Sequence, residues 1–220
     1  MSLAVRYHRW ILKESKVFIR GDVAEVGAGQ GDFSRWLLTL DTGQITAYEP
    51  SSDLAGRLLA SGFPRNRFRV VRNVFRDSVR KQAFDTVIYI NVLEHIEHDQ
   101  AELNFAYNAL KSSGHCIVYG PACPWLMSDF DRQMGHYRRY TRHGLKTLFE
   151  SAGFQVVKQR YMDFPGMLLW FLNFRMLNRT MTKDYVAVYD GMAIPVIRRV
   201  EHLLPPPAGK NILIVGEKKE

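Results

Sequence analysis

Cysteine is nearly absent: the 220 residues hold two, Cys116 inside an apolar run and Cys123 in a proline-flanked loop. That scarcity excludes a disulfide framework. Met1 to Arg6 shows no signal-peptide pattern, so a reducing, cytoplasmic location is expected. Long apolar runs are missing too. The longest, Phe164 to Phe174, is about half of what a bilayer crossing needs and is followed by Arg175, so no transmembrane helix is expected. Nothing linker-like divides the chain, whose length can bury one good core, and one elaborated domain over residues 1–220 is expected. With 46% apolar and 24% charged residues, disorder and low complexity are excluded outside the last few positions. Acidic residues are the minority charge, and the net +8 favours an anionic partner (nucleic acid, a phosphorylated substrate or acidic lipid) without deciding the fold.

What is present begins with the apolar run Val23 to Val26, which breaks into Gly27-Ala28-Gly29-Gln30-Gly31 and resumes from Phe33 with helical spacing. This reads as strand, tight turn, helix. Glycines there permit positive φ and close backbone approach, and the following helix N-terminus offers free N–H groups, so the turn suits a nucleotide-like ligand. A dinucleotide fingerprint wants a further glycine where Asp32 stands, which removes the nicotinamide reading. The next apolar run, Gln44 to Tyr48, ends in Glu49, whose carboxylate can accept from two ribose hydroxyls.

The same alternation continues. Apolar runs at Phe68–Val71, Phe84–Ile90 and His115–Tyr119 are separated by helical spacings at Ser52–Ala60 and Ala101–Leu110. Five strand–helix units predict a parallel sheet with right-handed crossovers and ligands at the strands' carboxyl ends. Before the first strand, Val5, Trp10, Ile11 and Leu12 suit an amphipathic helix over residues 3–16. After the fifth, Thr141 can cap a helix to Ser151, and strands follow at Phe154–Met162 and Asn211–Gly216.

Glu25-x-Gly27-x-Gly29-x-Gly31 with Glu49, and Phe84-Asp85-x-Val87 leading to Leu93-Glu94-His95-Ile96, resemble motifs I and IV of the class I S-adenosylmethionine-dependent methyltransferases, in the small-molecule, type 11/12/23-like branch. The resemblance covers Val23 to Gly120 well and the rest loosely. It implies an α/β, Rossmann-like, doubly wound sheet of seven strands, mostly parallel with the last antiparallel. It implies cap insertions at about 120–141 and, between strands six and seven, at about 163–209. S-adenosyl-L-methionine is the implied cofactor, with Glu25, Gly27, Gly29 and Gly31 at its methionyl portion, Glu49 at the ribose, Asn73 and Val74 at the adenine, and Asn91 also on the cofactor side. Asn73 departs from the family's usual aspartate, and an amide is the poorer acceptor. Tyr7 and Trp10 resemble a Tyr-x-x-Trp segment whose aromatic end lies over the cofactor in one bacterial group; the plain alternative is that Trp10 packs on the sheet. Tyr7 is a substrate-binding candidate.

The chain lacks the Asn-Pro-Pro-Tyr-like motif of amino-methylating nucleic-acid enzymes, so a DNA base is not the expected substrate. His95 and His98 with Glu94 and Glu97 have the spacing of metal ligands on one helix face, but no third distant ligand is evident in the sequence. No metal is expected, and His95 is read as orienting the loop near the methyl donor. Asp131, Gly135-His136 and Arg138-Arg139-Tyr140-Thr141 resemble a segment of methyltransferases linked to cell-surface polysaccharide or lipid-linked glycan synthesis. This implies a small-molecule or lipid-linked glycan acceptor, with a sugar hydroxyl as the group methylated. His136 is the candidate base, and Arg138 and Arg139 are candidates for bidentate pairing with a carboxylate or phosphate.

The insertion holds Phe164 to Arg179, apolar nearly all round. Lacking a broad polar face, it is expected to pack as a cap with a second helix at Ala193–Leu204. The alternative is peripheral membrane contact through 164–179, at the inner face, with Arg175, Arg179 and Lys183 near anionic headgroups. Two other readings stand beside the small-molecule enzyme. One is an RNA-directed methyltransferase using Arg65, Arg67, Arg69, Arg72, Arg76 and Arg80, which carry few aromatics among them. The other is a homologue that binds cofactor without turnover.

Overall fold

The computed structural model describes residues 4–78, 80–177 and 182–219; Leu3 and Arg179 lie outside the described residues. The apolar runs become strands β1 (Val23–Val26), β2 (Ile45–Tyr48), β3 (Phe68–Val71), β4 (Phe84–Ile90), β5 (Leu110–Pro121), β6 (Phe154–Met162) and β7 (Asn211–Lys218). They form one sheet in the order β3-β2-β1-β4-β5-β7-β6. Pairings from β3 to β5 are parallel, and β7 runs antiparallel to both β5 and β6. Every residue of β1 and β2 is buried, as a parallel sheet covered on both faces requires. From β1 the chain winds outward to β3, then returns to place β4 on the other side of β1. The carboxyl ends of β1 and β4 therefore flank a crevice at the reversal.

The helices are α1 (Val5–Ser15), α2 (Ser34–Leu37), α3 (Ser52–Leu59), α4 (Asp99–Ala109), α5 (Asp129–Gln133), α6 (Arg142–Ser151), α7 (Phe164–Trp170), α8 (Lys183–Val188) and α9 (Ile194–Leu203). One face of the sheet packs Trp10 and Ile11 of α1, Leu37 of α2, Leu58 of α3 and Ile194 and Ile197 of α9. The other packs Leu103 and Ala106 of α4, Leu145 and Phe149 of α6 and Met167 and Trp170 of α7. Trp10 has no exposed surface, so of the two readings of that side chain it is the packing one that the structure takes.

Two local expectations need correcting. The helical spacing that resumes at Phe33 yields only a single α-turn, Ser34–Leu37, that continues as tighter turns to Leu40. The segment between β6 and β7 holds more helix than the run Ala193–Leu204 indicated: α8 leads through a wider π-turn, Tyr189–Ala193, into α9. Pro195 lies in the first turn of α9, where a missing N–H is tolerated only if the preceding turn gives up its ordinary hydrogen bond, and the wider turn does so.

Asp163 ties these parts together. It has no exposed surface and left-handed backbone angles, and its carboxylate accepts from Gly166 N (3.1 Å) at the start of α7, from Tyr7 OH of α1 (3.1 Å) and from Tyr189 OH, while pairing with Lys210 Nζ at 2.8 Å. Removing the carboxylate leaves a half-buried ammonium and two phenols without their acceptor, so Asp163→Ala is expected to destabilise the protein by about 3 kcal/mol, and Tyr7→Phe by about 1 kcal/mol. Urea unfolding followed by tryptophan fluorescence measures both, and equal losses in the two variants would contradict this account.

Candidate active site

At the end of β1 the three glycines divide the work. Gly27 (φ +67°) donates its N–H to Tyr48 O at 2.8 Å, and a Cβ there would stand 2.6 Å from the Val92 side chain. Gly31 is closed in by Leu58 and Phe63. Gly29 (φ +58°) has nothing within 4 Å of where a Cβ would be, so its backbone faces open space. Its N–H donates to Glu49 Oε2 at 2.8 Å, and Glu49 Oε1 accepts from Ser51 N at 2.9 Å. The turn thus holds the buried Glu49 carboxylate beside the open position.

Gly27, Gly29 and Glu49, but not Gly31, line a cleft of about 710 Å³ with Asn73, Val74 and Asn91. Asn73 is exposed, and its Oδ1 accepts from Val74 N at 2.8 Å. Asn91 follows β4 with φ +53°, turning the chain out of the sheet, and its N–H donates to Tyr119 O at 2.7 Å. Two smaller hollows adjoin the cleft through Asn91, which lines all three. One, of about 130 Å³, is bounded by Glu25, Gly27, Asp32 and His8. The other, of about 140 Å³, is bounded by Glu94, His136, Arg139, Trp170, Lys210 and Asn211.

Burial dominates the titration of the first hollow. Glu25 is pushed up to about 8 by desolvation, with Asp32 adding to it, even though Ser34 Oγ donates to Glu25 Oε2 at 2.5 Å. His8 is held below its ordinary range, also by burial, and its Nδ1 has no partner among the described residues. Sequence reading missed His8. Its place on α1 is legible only once that helix is docked over β1.

The second hollow is organised by Asp131. Ser128 and Asp131 form a capping box at the start of α5, a spacing visible in the sequence. Asp131 has no exposed surface, yet hydrogen bonds from His136 and Arg139 overcome the burial cost and hold its carboxyl down at about 2. It is therefore a carboxylate and can only accept. His136 Nδ1, 3.1 Å from Asp131 Oδ1, must carry the proton, which leaves the lone pair of the neutral ring on Nε2. Arg139 gives Asp131 a bidentate pair, at 2.7 and 3.1 Å, donates to Ala122 O, and lies over the Trp170 ring. Arg138 turns elsewhere, to Asp99 Oδ1 at 2.8 Å and Glu97 O at 2.6 Å. The structure thus brings His136 and Arg139 into one wall but not Arg138. Tyr7 stands behind that wall, its hydroxyl 3.2 Å from Asn211 Oδ1 and accepting from Tyr119 OH at 2.8 Å.

Residues 5–159 match the sequence model of a family described as a methyltransferase domain. The chain belongs to this family. No curated protein is similar enough in sequence to match it. Among solved structures, the methyltransferase resembles an S-adenosylmethionine-dependent methyltransferase from Archaeoglobus fulgidus (TM-score 0.65, 16% identity, covering 97% of this chain and 94% of that one). It also resembles one from Mesorhizobium loti (0.67, 14% identity, 95% and 98%). A third is phosphoethanolamine N-methyltransferase 2 of Haemonchus contortus in complex with S-adenosyl-L-methionine (0.69, 14% identity), where the match covers 97% of this chain and 52% of that one.

The protein is an S-adenosylmethionine-dependent methyltransferase, and the cleft fits that donor. Its size is usual for a small-molecule site, Gly29 leaves the backbone bare, and Glu49 is a buried carboxylate beside it. When bound, S-adenosyl-L-methionine supplies a methyl group on a sulfonium. Losing two charge-assisted hydrogen bonds should cost about 3 kcal/mol, so Glu49→Ala is expected to weaken donor binding about a hundredfold by calorimetry. A second expectation concerns pH. Because Glu25 titrates near 8 when folded and far lower when unfolded, the folded state keeps a proton that the unfolded chain releases. Stability should therefore fall as pH rises from about 5 to 8, by at most about 1.4 kcal/mol per pH unit for this group. In urea midpoints measured across that window, Glu25→Gln should lie on a shallower slope than the wild type.

Proposed function

We propose that this methyltransferase transfers its methyl group to a hydroxyl of a sugar in a small or lipid-linked glycan intermediate, with His136 receiving the hydroxyl proton. The observation that carries the reading is the ionised Asp131 bonded to His136 Nδ1, which presents Nε2 as acceptor in a hollow sharing Asn91 with the cofactor cleft. The surroundings suit a hydroxyl-rich acceptor. Asn91 and Asn211 offer amides, and the buried Trp170 Nε1 has no partner among the described residues. Arg139 and Tyr7 serve this site by holding Asp131 and Asn211, and Arg138 by anchoring the loop to α4.

Access from a membrane surface belongs to the same reading. No helix among the described residues is long and apolar enough to cross a membrane. On α7 and the turn after it, Met167, Trp170 and Phe174 are buried while Leu168, Leu172, Met176 and Leu177 are exposed. On α9, Val196, Val200 and Leu203 are exposed beside Arg198 and Arg199. The insertion thus packs on the protein with one face and leaves an apolar face outward, which suits shallow contact with lipid under an anionic headgroup layer.

With labelled donor and membrane-glycan extracts as acceptor, His136→Ala is expected to lose about 10²- to 10⁴-fold in turnover while donor binding is unchanged. Co-sedimentation with vesicles containing anionic lipid should fall in Leu168→Glu/Leu172→Glu. Absence of labelled glycan product with the wild type would reject the acceptor class.

A further inference from the structure

We propose that Glu94, His95 and His136 form a binding site for a divalent transition-metal cation at the acceptor end of the cleft. One ligand atom from each residue lies within 4.8 Å of the others. That approaches the span of about 4.2 Å that two metal–ligand bonds of about 2.1 Å make end to end. The sequence pairs His95 with His98 and Glu94 with Glu97 by helical spacing, but the chain there is a tight turn, Leu93–His95, and the group forms from neighbours instead. The missing distant ligand is His136, brought across by the hydrogen bond from Tyr137 N to Glu94 O at 2.9 Å.

Glu94 is the observation that calls for a ligand. It is 1% exposed, and neither carboxylate oxygen has a hydrogen-bond partner among the described residues. An unpartnered buried carboxyl is costly, and a cation bound by it and two imidazoles would satisfy it. The next layer is also that of a metal site. Asp131 fixes the His136 ring through Nδ1 and so leaves Nε2 for a metal, while His95 Nδ1 lies beside Gly135. Arg139, which lines the same hollow, is already paired with Asp131, which tempers its repulsion of a cation. Two imidazoles and one carboxylate favour manganese, iron, cobalt, nickel or zinc over magnesium or calcium, and leave coordination positions open toward Asn91 and the acceptor.

The inference rests on the proposed transfer to oxygen and changes one assignment within it. A hydroxyl coordinated to the cation loses its proton to water more readily, the O–H electron pair staying on oxygen, and His136 acts as a ligand in place of a base.

The test uses tag-free, chelator-treated full-length protein titrated with Co²⁺, read by calorimetry and by the visible absorption of coordinated cobalt. One ion per chain is expected, with affinity lowered at least tenfold in His95→Ala and His136→Ala and kept in His143→Ala, on the exposed surface of α6. Circular dichroism shows whether each variant folds, and His95, being exposed, is the one whose loss the fold best tolerates. No cobalt binding, or binding unchanged in both ligand variants, overturns the site. Turnover that survives chelation would overturn the cation's part in the transfer and leave His136 as the base. Cobalt bound as expected, but with no labelled glycan from the wild type, keeps the metal site and rejects the acceptor reading.

Discussion

A parallel sheet cannot leave a face in water, and this constraint shapes the rest of the molecule. Each parallel neighbour requires a crossover laid on one face, helical here except between β3 and β4, where it holds only the tight turn Phe75–Asp77, and these connections leave from the strands' carboxyl ends. Where the winding reverses between β1 and β4, the turns diverge and leave the crevice that Gly29, Glu49 and Asn91 line. The cofactor cleft follows from connectivity, and the polar groups along it are the residues that end each strand.

The hollow beside His136 has a different origin. Most of its wall comes from the segment after β5 and from the segment between β6 and β7, and two buried carboxylates hold these in place. Asp131 closes α5 on itself and fixes His136 and Arg139; Asp163 joins α1, α7, the turn before α9 and the start of β7. Both are charges without exposed surface, which persist because every lone pair meets a donor. Glu94 is their opposite, equally buried and unpartnered, and burial pushes it up to about 8. The contrast marks Asp131 and Asp163 as framework and Glu94 as a group awaiting something.

The sequence by itself determined the sheet, because short apolar runs broken by glycine and helical spacing admit few other folds, and it determined Glu49, because a carboxylate one residue beyond β2 has little choice of position. It carried the Ser128–Asp131 box as well, since capping is local. Tertiary structure alone decided what partner each long side chain took. Arg138 and Arg139 are adjacent in the chain, yet one faces Asp99 and the other Asp131. His95 and His136 lie in separate segments, yet their rings are 4.7 Å apart. Local pattern reports backbone conformation, which depends on a few neighbouring residues. A guanidinium, an imidazole or a buried carboxylate answers to whichever groups packing brings within about 3 Å, and no spacing in the sequence encodes that meeting.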